Sequence, residues 1–366
     1  MKRAGIITYH FAVNYGAILQ CYALNRAINN LNIDCRVINY VSEKQQNNNS
    51  LYRRGKNNII KNIVLIPFHK LRKQRAERIQ QFSKEYLNLT YKVNSIEQLE
   101  DQVANEGFNY LISGSDQVWN PHIEDFEPAF FYPFESKAKK IGYAVSVGKA
   151  QEQDLMPYAD WIRQFSNITV REESSEKLIG KLAGHDVSSI VDPVFLISKA
   201  EWTELINKSD YSAKADEQIL VCYFVRTVQL DKKIEAAQSI ADELHLKLVI
   251  ISPRITKYNF TKTVVSNAGP LEFLLYFNLA SYVCTDSFHG TVFSALLNKQ
   301  FSTFERKEDK RDGRKIDILK KLHLENRIQY LDEALEIGNI IDYETINPLI
   351  DEIRADALEN LRAMLD

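Results

Sequence analysis

Short, almost wholly apolar runs alternate with amphipathic stretches along most of the chain. Ile6–Tyr9 is the first such run. A polar loop follows, then Ala17-Ile18-Leu19-Gln20-Cys21-Tyr22-Ala23-Leu24 opens a helix to about Leu31, and Val37–Tyr40 reads as a second strand. Strand, loop, helix and strand in about forty residues make a βαβ unit, which implies a parallel sheet. Further strands are expected at Tyr110–Ile112, Lys140–Val145, Ile168–Val170 and Ser189–Val191. Each ends in a polar or glycine-containing loop, where open parallel sheets place their sites. After a linker near 199–218 the pattern restarts, with strands at Ile219–Tyr223, Leu248–Ile251, Ser281–Cys284 and Phe301–Phe304. Helices are expected over 230–244 and near 270–277, an exposed loop over 306–314, and a last helix over 343–365. The expected architecture is α/β. A first domain covers 1–200 and a second 201–340, with a central cleft between them, and a C-terminal segment 341–366 packs near their junction.

Two segments interrupt this pattern. Residues 43–50 are rich in Gln and Asn and read as a mobile loop. A helical stretch is expected from about Asn57 to Leu87. Within it, residues 52–78 carry Arg53, Arg54, Lys56, Lys61, Lys70, Arg72, Lys73, Arg75 and Arg78 against the single acid Glu77, interleaved with Ile59, Ile60, Ile63, Val64, Ile66 and Phe68. One reading is a helix with a solvated basic face and a buried apolar one. The other is a contact with a membrane surface or a lipid phosphate.

Composition narrows the class of protein. The chain has 366 residues, 45% apolar and 26% charged, which excludes a disordered chain, a collagen and a disulfide scaffold. No apolar run reaches the roughly 18 residues needed to span a bilayer, and the start has no signal-peptide core. A net charge of -2 argues against a general electrostatic grip on nucleic acid. Cys21, Cys35, Cys222 and Cys284 form no CxxC pair and read as core residues in a reducing compartment. The expected location is the cytoplasm, with peripheral membrane contact through 52–78 as an option.

The strand-end loops carry the candidate chemistry. His289 sits between an apolar run and a helix, beside Gly290. The N–H groups of Gly290 and Thr291 would be open at the helix start, a ready anion site. A histidine there serves as general acid, general base or phosphate donor, or simply caps the helix. Asp116, after Ser113-Gly114-Ser115, either accepts a sugar hydroxyl or acts as a base, or else caps its turn. Trp119 either stacks on a sugar ring or packs in the core. In the first loop, Asn14 offers a hydrogen-bonding fork and Gly16 permits close backbone approach. Arg171 follows an apolar run and suits a carboxylate or phosphate, or else pairs with a local acid. His10 and His122 lie in loops that could face the expected cleft. There is no GxGxxG, no GxxxxGK[ST], no GxSxG and no clustered metal ligand set such as DxD, so neither a metal nor a resident cofactor is expected.

Several blocks of these residues resemble the polysaccharide pyruvyl transferase family. They are Asn14-Tyr15-Gly16-Ala17-Ile18-Leu19-Gln20-Cys21-Tyr22-Ala23-Leu24, Gly114-Ser115-Asp116-Gln117-Val118-Trp119-Asn120 and Ser287-Phe288-His289-Gly290-Thr291-Val292-Phe293-Ser294-Ala295. Val170-Arg171-Glu172-Glu173-Ser174 and Val191-Asp192-Pro193 look like the family's middle blocks, and 311–327 like its tail. The resemblance implies a fold of two Rossmann-like domains, GT-B-like, with the acceptor on the first and the donor on the second. It implies transfer of pyruvate from phosphoenolpyruvate to two hydroxyls of one sugar, in a cell-surface polysaccharide or its lipid-linked precursor, forming a cyclic ketal. It gives His289 an acid or base role and Arg171 a donor-anion role. It makes Tyr15, Gln20, Ser115, Gln117, Ser287, Gly290 and Thr291 candidate substrate-binding residues with Asn14, Gly16 and Trp119. Members of the family often carry arginine where this chain has Ser287, so either another cation replaces it, with Arg311 and Arg306 as candidates, or the donor differs. Two other functions are compatible with these residues: a GT-B-type glycosyltransferase using a nucleotide sugar, and a non-catalytic binding protein of polysaccharide assembly.

Overall fold

The computed structural model describes residues 1–11, 14–55, 58–209, 218–306, 313–333 and 337–366. The apolar runs become two parallel sheets. β1 (Arg3–Ile7), β2 (Asp34–Val37), β3 (Tyr110–Ser113), β4 (Lys139–Val145), β5 (Phe165–Val170) and β6 (Ser188–Ser189) are ordered β2-β1-β3-β4-β5-β6. β7 (Ile219–Tyr223), β8 (Lys247–Ile251), β9 (Val264–Val265), β10 (Tyr282–Thr285), β11 (Gln300–Glu305) and β12 (Ile328–Tyr330) are ordered β12-β11-β10-β7-β8-β9. Neighbouring strands run parallel in both sheets. β3, β7 and β10 are buried at every position. Helices cover both faces of a parallel sheet, which is why such strands read as continuous apolar runs rather than alternating ones. β9 and β12 escaped the sequence pattern because two and three residues are too short to carry a period.

The chain forms two compact units, neither continuous in sequence. The first is Met1–Ile59, Gln80–Ile197 and Glu352–Asp366; the second is Ile60–Ile79 and Ser198–Asp351. The physical ties explain both exchanges. Arg75 donates to the carbonyls of Pro253 (2.6 Å) and Ser266 (2.9 Å), and Arg78 donates to that of Asn267 (2.7 Å). These bonds anchor 60–79 to the second unit. At the other end of the chain, Ala357, Leu361, Met364 and Leu365 join the core formed by Ala4, Ile6, Leu24 and Ile112 in the first. The last helix, Tyr343–Leu365, therefore has its ends in different units.

Two local expectations are corrected. Residues 43–48 are a helix, Glu43–Asn48, rather than a loop. Ser42 caps it in a capping box with Gln45, and Asn48 and Asn49 donate to the Asp125 carboxylate at 2.8 and 3.2 Å. The long helix expected over 57–87 is broken into Ile59–Val64, a 3-10 turn at Ile66–Phe68 and His69–Tyr86. Pro67, which has no N–H to give a helix, marks the break. Upstream of it the apolar side chains face solvent, among them Ile60, Ile63, Val64 and Ile66. The apolar face of that part of the segment is thus not buried. The four cysteines are free and buried, as core residues.

Candidate active site

In the first unit the loops after β1, β3, β4 and β5 form one hydrogen-bonded cluster. Asp116 follows Gly114, whose φ of +114° and closeness to the Tyr143 carbonyl (2.4 Å from an added Cβ) exclude a side chain. Asp116 itself has φ +72°, a left-handed conformation that Asp and Asn tolerate better than most residues. Its backbone carbonyl accepts from Ser146 N (3.0 Å) and its carboxylate from Gln117 N (2.8 Å). Arg171, directly after β5, donates from Nη2 to Asp116 Oδ1 (3.2 Å) and from Nη1 to Asp192 Oδ2 (2.8 Å). Burial by itself would lower the guanidinium pKa, but Asp116, Asp192 and Glu172 outweigh it and push it up. Arg171 is therefore permanently charged and held between two carboxylates. It fixes Asp116, and its cationic capacity is already shared between partners of its own unit. Glu172 accepts from the Ser146 hydroxyl, which in turn accepts from Gly148 N (3.2 Å).

The other candidates of this unit divide into support and surface. Gln20 is fully buried, donating to Thr8 Oγ1 (3.0 Å) and the Ala17 carbonyl (2.8 Å) and accepting from Ser115 N (3.2 Å). It clamps the first helix, Tyr15–Asn30, to the β3 loop. Ser115 Oγ donates to the Ala144 carbonyl (2.9 Å), and Tyr15 is buried. Asn14 is exposed and caps that helix by accepting from Gly16 N (3.2 Å). Gln117 accepts from Asn120 Nδ2 (2.8 Å). Trp119 does not face a ligand: it is wholly buried, its indole donates to Ser113 Oγ (2.9 Å), and its ring packs on Phe131 and Phe165. An indole with a large apolar body and one satisfied donor stays in the core.

Two further residues, Tyr9 and His10, lie just after β1. The Tyr9 hydroxyl is buried and, among the described residues, has no hydrogen-bond partner. Burial, then the charges of Asp116, Asp125 and Glu127, raise its pKa and keep it protonated. His10 is buried, with Nδ1 on the Thr8 carbonyl and Nε2 on Asn39 Oδ1, both at 3.1 Å. Burial lowers its pKa despite those two contacts. The signal was position alone: both residues follow the first apolar run. His122, by contrast, is exposed and pairs with Asp154 (3.0 Å).

In the second unit the candidates lie after β10. Ser287 caps the helix Phe288–Leu296, its hydroxyl accepting from Gly290 N (3.3 Å), and Thr291 N donates to the Ser287 carbonyl (2.9 Å). Both N–H groups expected to be open thus have partners within the turn, because serine supplies the oxygen an anion would otherwise bring. Thr291 Oγ1 is spent on the Ser287 carbonyl and Thr303. Gly290 permits close packing: an added Cβ would lie 2.3 Å from Thr285 Oγ1. His289 is buried, its ring edge-on to Phe288 at 5.2 Å, and the Arg314 guanidinium lies 5.8 Å over the Phe288 ring.

Asp286, just before Ser287, is a buried hub. It accepts from Val225 N (2.7 Å) and Lys233 Nζ (2.6 Å), while its carbonyl accepts from Lys315 Nζ (2.8 Å). Lys315 also pairs with Glu305 at the end of β11. Burial lowers the Lys315 pKa, against the raising effect of Glu305 and Asp286. No local pattern marks a buried lysine twenty-nine residues from Asp286. Arg306 follows β11 directly. Arg311 lies outside the described residues.

Solved structures of low identity share this fold. The UDP-GlcNAc 2-epimerase from Neisseria meningitidis bound to UDP-GlcNAc superposes with a TM-score of 0.56 at 8% identity, over 100% of this chain and 99% of that one. The UDP-GlcNAc 2-epimerase from Methanocaldococcus jannaschii gives 0.54 at 10% identity, over 97% and 93%. The architecture is therefore GT-B-like, with two Rossmann-like units in series. No curated protein matches the chain significantly in sequence. The sequence profile of the family described as polysaccharide pyruvyl transferase matches residues 14–308, most of the chain, Asp116, Arg171 and His289 among them, and the protein belongs to that enzyme family.

Proposed function

We propose that the protein transfers the pyruvyl group of phosphoenolpyruvate to two hydroxyls of one sugar, in a cell-surface polysaccharide or its lipid-linked precursor. The observation that carries this reading is the family match over 14–308, which contains Asp116, Arg171 and His289 at strand ends. One sugar hydroxyl adds to C2 of the enol phosphate while C3 takes a proton and becomes a methyl group. The second hydroxyl then displaces phosphate from C2 and closes the ketal. Of the two hydroxyl protons, one is balanced at C3 and the other leaves with phosphate.

His289 is the general acid toward C3, and Asp116 the base toward a hydroxyl. Arg171 acts through Asp116 as a positioning residue, since its guanidinium is committed to two carboxylates. The donor carries a phosphate and a carboxylate and needs cations. With Ser287 where arginine is frequent, Arg306 and Arg314 of the same unit take that role. Arg314 is the better supported, because its guanidinium lies over the ring next to His289.

The test combines binding and turnover. Phosphoenolpyruvate at 100 times its dissociation constant stabilises a protein that binds it only when folded by about 2.7 kcal/mol, which a thermal melt resolves. Phosphate release with a panel of sugar acceptors, and a product bearing the mass of a pyruvyl ketal, are expected from the wild type. His289→Gln is expected to lose about 10²–10⁴-fold in rate while still binding donor. Stabilisation by UDP-GlcNAc, with none by saturating phosphoenolpyruvate, would overturn this reading. It would favour a nucleotide-sugar donor, the ligand in the Neisseria meningitidis structure of the same fold.

A further inference from the structure

The segment upstream of Pro67 presents apolar side chains to solvent in a pattern that the proposed chemistry does not use. Ile60 is 77% exposed, Val64 63%, and Ile63 and Ile66 58% each. Phe260, from a separate part of the same unit, is 76% exposed and packs edge-on to Phe68 at 5.5 Å, so the patch extends across two chain segments. An exposed apolar cluster of this kind marks an interaction surface. Its setting is basic. Residues 58–79 hold Lys61, Lys70, Arg72, Lys73, Arg75 and Arg78 against one acid, Glu77, in a chain whose net charge is -2. Lys61, Lys70 and Lys73 are exposed. The Arg75 and Arg78 bonds to the carbonyls of Pro253, Ser266 and Asn267 hold the following helix on the unit. The patch therefore sits on a fixed base.

The geometry points to the surface of an anionic bilayer as the occupant. Isoleucine, valine and phenylalanine enter the headgroup boundary, and lysines beside them meet lipid phosphate. No described helix is long and apolar enough to cross a membrane, so the contact lies on the surface. This inference goes beyond the proposed reaction and holds whichever donor is used.

The experiment is co-sedimentation of the full chain with vesicles, without donor or acceptor, so that its outcome is independent of turnover. Vesicles of phosphatidylcholine mixed with phosphatidylglycerol are compared with phosphatidylcholine alone. The wild type is expected to bind the mixed vesicles, less so as salt rises. Ile60→Asp with Ile63→Asp is expected to abolish binding. Lys61→Gln, Lys70→Gln and Lys73→Gln together are expected to weaken it on the order of a hundred-fold, at about five-fold per lysine. All these positions are exposed, and melts matching the wild type confirm that the variants fold. A wild type that stays in the supernatant with mixed vesicles overturns the inference. So does binding unchanged in both variants, or an aspartate variant that alters only self-association in analytical ultracentrifugation.

Discussion

Arg171 joins Asp192 and Asp116 from a side chain that is 2% exposed. Removing a buried cation strands its partners' charges, and breaking a buried pair by taking out one member typically destabilises by about 3–5 kcal/mol. Arg171→Met is expected to lose that much in urea unfolding. Arg171→Lys should recover only part, because an ammonium cannot present two separated N–H groups in a planar fork. An unchanged midpoint in Arg171→Met would contradict the buried bridge. As a strand-end cation Arg171 was legible in the sequence, but its two partners were not. Asp192 lies twenty-one residues on and Asp116 fifty-five back, and only the sheet order β3-β4-β5-β6 brings them together. The same gap explains Trp119. A tryptophan beside a candidate acid reads equally well as a sugar platform or a core filler, and the packing of Phe131 and Phe165 decides for the core.

The helix Phe288–Leu296 shows how far one motif carries. Ser287 as its cap follows from ordinary preferences at helix starts. What the motif did not reveal is that the turn satisfies its own N–H groups and that Gly290 presses on Thr285. Thr285 cannot swing away, since its hydroxyl donates to the Tyr223 carbonyl (2.6 Å) and accepts from Ser287 N (3.1 Å). Gly290→Ala is thus expected to destabilise by about 1–3 kcal/mol through overpacking. Combining it with Thr285→Ala should cost less than the sum of the two single changes, since the contact is shared. Thermal melts of the three variants check this, and strict additivity would place Gly290 elsewhere. The helix Glu43–Asn48 is the converse case. Its Gln and Asn run has weak helical preference, and Ser42 and Asp125 supply the caps and anchors.

The two units exchange chain twice, at 60–79 and at 352–366. A linear reading of domains cannot see such exchange, because composition and periodicity are local while contacts are not. The last stretch makes this measurable. Leu361 is 1% exposed in the core of the first unit, although it lies more than 150 residues beyond that unit's last strand. Leu361→Ala is expected to destabilise the first unit by about 2–5 kcal/mol, read as a shift of its calorimetric transition. No shift would mean that the C-terminal segment is not part of that core.

The order of apolar runs, their loop-ending motifs and the absence of alternation determined a parallel α/β chain, its family and the neighbourhood of each strand-end site. These follow from hydrophobic periodicity and turn chemistry, which act over a few residues. The tertiary structure alone decided that Arg171 is shared by two carboxylates, that Trp119 fills the core, that Ser287 closes the helix start, and that the apolar side chains around Ile60 face solvent. Each of these depends on which residues meet across the sheets or are left uncovered. Burial, charge pairing and exposure are properties of that meeting, not of the residue type.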